Sequence, residues 1–367
     1  MSQPTSSTLL QSHRWNVQPG MGEQVVLSLR HALFDGHEVM AATMAANIFR
    51  LLAACGVPVA FLDRSGADGL TAQYCEPRHR LLVSRMASSD AYGLMNKGQQ
   101  AFPRLMIQGE SSEDSPPDEV LTLARRAFLV LEKAWLMRGL QLANTSFELG
   151  VRGSPENKIW VLTGVVDYEA MELHEDGQPL DSTDDRSMNQ IARNQRRACE
   201  LSAGFLPVPK QSLIVWSASD KDKIQPFIDA YTGLLWAFDN RLGCELRLHI
   251  RSMHKEPVLS SLELTKLVHQ YGDCVIIAFV GRSNGLGPGL APNTHVPVIS
   301  VPAGLKDFPE DVWSSLRTPS DNPALTVLDP GNAMLAALNI LAGRNPALYA
   351  QLRLQLEKRQ INVVPLP

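Results

Sequence analysis

Long apolar runs are missing from this chain: no stretch of 18 or more apolar residues could cross a bilayer as a helix. Nor do residues 1–14, which are polar and rich in Ser and Thr, carry the apolar core of a secretory signal. The expectation is a cytoplasmic protein with no membrane partner. Cysteine is sparse, with five residues (Cys55, Cys75, Cys199, Cys244 and Cys274) far apart and no C-x-x-C pair. That excludes a disulfide scaffold and leaves no thiolate metal cluster, so the cysteines read as reduced core thiols. An excess of one charge is also absent, because 34 Lys and Arg stand against 38 Asp and Glu for a net charge of -4. Without a basic field, nucleic acid is not expected as a partner.

What remains is ordinary globular composition, 44% hydrophobic and 20% charged, over 367 residues. At about 150 residues per domain, that length predicts two domains. In the first half the pattern predicts a strand starting near Gln24, a helix over 39–54, a strand over 57–62 and a strand over 80–86. A loop over 109–117 then precedes a strong amphipathic helix over 118–138. Strands over 142–151 and 158–166 follow as a hairpin. Residues 172–187 are acidic and turn-forming, and an Arg- and Gln-rich helix runs to about Ser202. Two prolines in FLPVPK, 205–210, mark a domain boundary.

Beyond the boundary the grammar becomes regular. Strands are predicted over 212–216, 244–250, 273–280 and 296–301, alternating with helices over 223–240 and 258–271, and the tail 330–357 is helical. Each apolar strand ends in small and polar residues. This is the pattern of a doubly wound parallel sheet, which binds ligands at the carboxyl edge of its strands. The most informative such ending is GRSNGLGP, 281–288, with three glycines in eight residues. Its spacing matches neither the dinucleotide fingerprint nor the phosphate loop ending in Gly-Lys-Ser/Thr.

Letter by letter, GRSNGLGPGLAPNTHVPVISVP resembles the carboxylase half of the animal-type bifunctional family of phosphoribosylaminoimidazole carboxylase and phosphoribosylaminoimidazole-succinocarboxamide synthase. SMHKEP at 252–257, DVWSSLRTP at 311–319 and TVLDP at 326–330 extend the resemblance, as counterparts of that family's SAHKGP, DVWSSLR and TVLSP. It implies carboxylation or decarboxylation of an aminoimidazole ribonucleotide by carbon dioxide, without ATP, biotin, a metal or another cofactor. The ring is an enamine-like carbon nucleophile, so the protein must hold the nucleotide and move one proton. His254 is the expected proton carrier, and Lys255 the group that holds a carboxylate or carbon dioxide oxygen. By the same resemblance Ser217, Ser219 and Asp220 contact phosphate and ribose, as in the family's G-S-x-S-D loop. Ser252, Gly281, Arg282, Ser283, Asn284 and Gly285 complete the substrate site, with Ser283 and Asn284 lining the ring and its carboxylate. The other histidines, His31, His79, His249 and His269 among them, read as ordinary structural residues. Three departures stand out: Trp216 replaces the first Gly of that loop, Met253 replaces Ala, and Glu256 replaces Gly.

The first half resembles the synthase more faintly. The carrying segments are Asp35-Gly36, Asn47 to Leu52, Gly56-Val57-Pro58, LEKAWL at 131–136 and FELG at 147–150. The opening G-K-T-K-x-V-Y is absent, and Gly20-Met21-Gly22 does not replace it. Asn144 and Ser146 stand where the family has Asp and Lys, Gly164 replaces a magnesium-binding Asp, Ser88-Ser89-Asp90 replaces T-G-S, and the D-K-Q near Met188 is missing. The expectation is a degenerate synthase-like α+β domain over 1–206, without ligase activity, and a carboxylase-like doubly wound domain over 211–367. The acidic residues 181–185 read as a solvated loop. The resemblance also implies a homo-oligomer, an octamer in the family. Two other functions fit the departures: an enzyme of specialised metabolism acting on a different ring, and a non-catalytic nucleotide-binding or assembly partner.

Overall fold

The computed structural model describes residues 14–75, 77–85, 104–109, 115–153, 156–181, 187–205, 208–220, 222–235 and 242–358. Ser88-Ser89-Asp90, most of the loop over 109–117, residues 182–185 of the acidic stretch and the end of the helix expected over 223–240 lie outside them. Two compact units make up the chain, Met1–Pro207 with Arg353–Pro367, and Val208–Leu352.

In the first unit, strands β1 (Trp15–Pro19), β2 (Gln24–Leu29), β3 (Phe61–Ser65) and β4 (Gly69–Gln73) form an antiparallel sheet in the order β1-β2-β4-β3. Helix α1 (His37–Ala54) packs on it through Ile48, Phe49 and Leu52, which recur at helical spacing and are buried. A second sheet joins β5 (Pro77–Ser84), β6 (Met106–Gly109), β7 (Gln141–Arg152), β8 (Ile159–Leu162), β9 (Met171–Glu175) and β10 (Gln178–Pro179). Its order is β10-β9-β7-β5-β6, with β8 on the far end of β7. Helices α2 (Asp118–Leu136) and α3 (Met188–Ser202) complete the unit.

Two expectations change here. The strand expected over 57–62 is displaced to β3, because Pro58 has no N–H to give a ladder. Instead the Pro58 carbonyl accepts from Leu162 and Ala60 donates to the Leu162 carbonyl, at 3.0 and 2.8 Å, so this segment crosses to the second sheet. The acidic stretch starting at Glu172 opens as a strand: in β9, Met171 and Leu173 face inward and Glu172 outward.

The second unit holds β11 (Gln211–Ser217), β12 (Cys244–Ile250), β13 (Cys274–Val280), β14 (Val298–Pro302) and β15 (Leu325–Thr326). All pair in parallel in the order β12-β11-β13-β14-β15. The burial of each strand explains its place. QSLIVWS in β11 and CVIIAFV in β13 are buried at every position, as interior strands covered on both faces must be. CELRLHI in β12 alternates and is only partly covered, as suits an edge. Gly243 turns the chain into β12 with φ +67, and any Cβ there would lie 2.2 Å from the Pro209 carbonyl oxygen.

Helices cover both faces. Leu264 of α5 (Pro257–Tyr271) and Leu286 and Leu290 of α6 (Leu286–Leu290) join Ile214, Trp216, Ile276 and Ala278 in one buried cluster. On the opposite face Phe227 of α4 (Gln225–Leu235) meets Phe279 edge to face at 4.8 Å. After the single turn α7 (Trp313–Leu316), the tail forms two helices, α8 (Pro330–Ala342) and α9 (Pro346–Glu357). Between them Asn345 is fully buried and bonds to Gln211 and Leu242, which fixes the break.

All five cysteines are free and buried. Burial pushes the thiols of Cys55 and Cys244 up to about 12 and that of Cys274 to about 11, and raises Cys75 and Cys199 as well. The thiolate is the reactive form, and a pKa of about 12 leaves roughly one part in ten thousand ionised at pH 8. Native protein treated with iodoacetamide at pH 8 is therefore expected to stay unmodified at these positions by mass spectrometry, while denatured protein labels at all five. Fast labelling of the folded chain would contradict this burial.

Candidate functional site

Because β11 pairs in parallel with both β12 and β13, Ser217 lies level with Ile250 on one side and Phe279 on the other. The three loops that follow therefore emerge together at one edge of the sheet, and they carry every site residue expected from the sequence. Direct bonds tie the first two loops. Arg251 N donates to the Ser217 carbonyl at 3.0 Å, and Trp216 Nε1 donates to the Arg251 carbonyl at 2.9 Å.

The first loop folds on itself. The Ser217 hydroxyl is buried and donates to the Ser219 carbonyl, while Ser219 Oγ lies 3.2 Å from Asp220 Oδ1. Ser219 N donates to Asp222 Oδ2 at 2.9 Å. Burial pushes the Asp222 carboxyl above its ordinary range, the N–H groups of Ser219 and Ala218 pull it back, and the charge of Asp220 adds to the rise.

In the second loop, Ser252 Oγ accepts from Lys255 N and the Ser252 carbonyl from Glu256 N, a turn that leads into α5. His254 and Lys255 are exposed at its tip. The third loop brings its backbone to the histidine: a Cβ built on Gly285 would lie 2.0 Å from His254 Nε2. Only a glycine lets this ring lie so close to the chain. On the other side Asp222 Oδ1 would lie 3.3 Å from a Cβ on Gly281. His254, Gly285, Gly281 and the Ser219 loop thus converge around the end of β11.

Asn284 is 6% exposed and tied into the protein: Nδ2 donates to Ser315 Oγ at 2.9 Å and Oδ1 accepts from Gly287 N at 2.9 Å. These bonds shape the loop and use one of the two N–H groups of its amide. Ser283 sits at φ +50, a left-handed conformation held by the Asp311 carboxylate, which accepts the Ser283 N–H through both oxygens at 3.0 and 2.8 Å. Arg282 stacks on Phe308, with the guanidinium carbon 3.8 Å from the ring centroid. Asp222, Asp311, Ser314 and Ser315 had no assigned role from the sequence. For the last three the signal was present in DVWSSLR.

The geometry can be set beside known proteins. Residues 212–361 match the AIR carboxylase family model. The whole chain is similar to the probable multifunctional protein ADE2 of Caenorhabditis elegans, 26% identical over 380 residues that span 92% of this chain and 87% of that protein. The bifunctional phosphoribosylaminoimidazole carboxylase/phosphoribosylaminoimidazole succinocarboxamide synthetase of Rattus norvegicus is also 26% identical, over 87% of this chain and 83% of its own. Phosphoribosylaminoimidazole carboxylase of Archaeoglobus fulgidus is 37% identical over 101 residues, covering 27% of this chain and 55% of that one. The resemblance to the bifunctional family thus extends along most of the chain.

Within the segment that matches the AIR carboxylase model, the two departures beside the histidine have local explanations. Met253 turns inward and packs against the buried cluster, and a Cβ on Gly289 would lie 2.9 Å from its Cγ. Its bulk is absorbed by a glycine. Glu256 pairs with Arg251 at 3.2 Å, so its charge is matched at the loop base.

The contact of His254 with Gly285 predicts the effect of filling that space. Gly285 has φ -87, which alanine adopts freely, so Gly285→Ala should fold normally and displace only the imidazole. A displacement of about 1 Å costs on the order of a hundredfold in rate. Turnover is expected to fall by about that factor with the circular dichroism melt unchanged. Full activity in this variant would remove the histidine from the working geometry.

Proposed function

We propose that the AIR carboxylase domain carboxylates, or in reverse decarboxylates, an aminoimidazole ribonucleotide or a closely related heterocycle, with His254 moving the proton. In the forward direction the ring carbon attacks carbon dioxide, a carbon–carbon bond forms, and the ring carbon's proton passes to His254. In reverse His254 returns that proton as the bond to carbon dioxide breaks. Lys255 steadies the carboxylate, and Ser219 and Asp220 hold phosphate and ribose. The observation that carries this reading is the exposed His254 ring lying against the Gly285 backbone at the carboxyl edge of the sheet. Neither ATP nor biotin enters the reaction.

In this reading the first unit is a scaffold derived from a synthase. ATP-dependent ligation by the related synthases implies a metal carboxylate where this chain has Gly164, and the residues present do not fit one. A Cβ at 164 would lie 2.8 Å from both Cβ and Cγ of Glu148, whose carboxylate pairs with Arg80 at 3.0 Å. Asn144 and Glu172 bond to each other. Among the described residues no three His, Cys, Asp or Glu side chains are placed to share a metal.

Self-association belongs to the same proposal. Val258, Leu259 and Leu262 of α5 are 71, 49 and 63% exposed, an apolar strip that a second copy of the chain would cover. The test of the catalytic reading is direct. Purified protein mixed with aminoimidazole ribonucleotide and bicarbonate should change the ultraviolet absorbance of the ring, and no change at any protein concentration would sink the reading.

A further inference from the structure

In the loop that follows β11, a carboxylate of the chain itself occupies the place where an anionic ligand would be received. Asp222 Oδ2 accepts the Ser219 N–H at 2.9 Å, and the neighbouring Ala218 N–H lowers the pKa of this carboxylate. Asp222 N returns a bond to the Ser219 carbonyl at 3.2 Å, which closes the turn. Its other oxygen, Oδ1, faces Gly281 on the neighbouring loop, so the carboxylate stands inside the cleft between the strand ends. Successive backbone N–H groups in such a turn form a concavity suited to an anion. Here that concavity holds Asp222.

The neighbouring charges are mixed. Asp220 is next to the same turn and the cation Arg251 is matched by Glu256, while Arg282, stacked on Phe308, and the exposed Lys223 and Lys255 remain positive. A phosphate entering this loop must displace a carboxylate from the N–H groups and then remain beside it. An uncharged hydroxyl meets no such repulsion.

We propose that Asp222 is a specificity-determining residue, which lowers the affinity of the domain for a ligand bearing a phosphate and leaves its unphosphorylated counterpart unaffected. The inference rests on the proposed substrate orientation, with the ligand's phosphate at the Ser219 loop. It goes further in giving this chain a weakened preference for the phosphorylated form. The consequence is a domain that discriminates poorly between a ribonucleotide and its riboside.

The experiment uses the full chain and a stable probe pair, 5-aminoimidazole-4-carboxamide ribonucleotide and its riboside, titrated by calorimetry into wild type and Asp222→Asn. Asparagine keeps an oxygen that accepts the Ser219 N–H, so the loop is retained while the charge is removed. Asp222→Ala serves as a second variant, and melting curves check folding. Asp222→Asn should bind the ribonucleotide about tenfold tighter than wild type, with riboside affinity unchanged. Equal gains for both ligands, no gain for the ribonucleotide, or no binding of the ribonucleotide by any variant would overturn the inference. The absorbance assay separates this from the catalytic proposal. If the variant gains ribonucleotide affinity while no protein alters aminoimidazole ribonucleotide, only the catalytic proposal falls. If wild type turns the substrate over and Asp222→Asn does so with an unchanged KM, only the present inference falls.

Discussion

Replacement of His254 by asparagine is expected to lower turnover of aminoimidazole ribonucleotide by about two to four orders of magnitude, the usual contribution of a positioned general acid or base. Asparagine fits the space and can still hydrogen-bond, but it does not exchange a proton near neutral pH. The side chain is exposed, so folding should not suffer, and the melting temperature should stay within about a degree or two of wild type. Loss of rate without loss of stability is the signature sought, read from ring absorbance and a parallel melting curve. An unimpaired variant would transfer the proton to another group. His249, on β12, is not that group. Its ring meets Trp216 edge to face at 4.3 Å, and partial burial lowers its pKa, so it is held in packing at the edge of the sheet.

The second large effect concerns stability and lies in the first unit. The Asp167 carboxylate is fully buried and holds Arg14 through two bonds, at 3.0 and 3.2 Å, as well as Trp15 Nε1 at 3.3 Å and the Ala170 N–H at 3.2 Å. Arg14 also pairs with Glu169 at 2.8 Å, and Glu169 stands 3.2 Å from His37 at the start of α1. Asp167→Ala removes the buried anion, leaves the Trp15 indole N–H facing a cavity and leaves Arg14 held by Glu169 alone. Breaking a buried pair from one side costs about 3 to 5 kcal/mol. Urea unfolding followed by tryptophan fluorescence should show a loss of that size, with Asp167→Asn losing less because it keeps an acceptor for Trp15. A loss below about 1 kcal/mol for the alanine variant would mean that the network contributes little.

How far the fold could be read in advance depended on burial. The β11, β12 and β13 segments were placed to within a residue, since LIVW lies between Ser212 and Ser217, CVIIAFV lies between Asp273 and Gly281, and CELRLHI alternates apolar and polar side chains. By contrast β1, where Asn16 follows Trp15 and Gln18 follows Val17, is short, ends on Pro19 and is mostly exposed, so its alternation gives little signal. In β9, MELHE reads as an acidic loop unless the inward turns of Met171 and Leu173 are known. The site divides in the same way. His254 and the glycines near it were legible from the resemblance, because close approach leaves a mark in residue type. The bonds that anchor Asn284 were not legible, because its partners, Ser314 and Ser315, lie 30 and 31 residues away and only the fold brings them near. The bond from Asp222 to Ser219 is local, yet it depends on a turn conformation that the letters alone do not specify.

The crowding of Gly164 by Glu148 bears on the history of the first unit as well as on its present chemistry. An aspartate at 164 alone would find its place already filled, since the clash falls on the stem of Glu148 as well as on its carboxylate. Recovery would require Glu148 to move at the same time and to give up its bond to Arg80. Neither step helps without the other. In the proposed descent from a synthase, a return to aspartate at 164 is thus coupled in this chain to a rearrangement of Glu148.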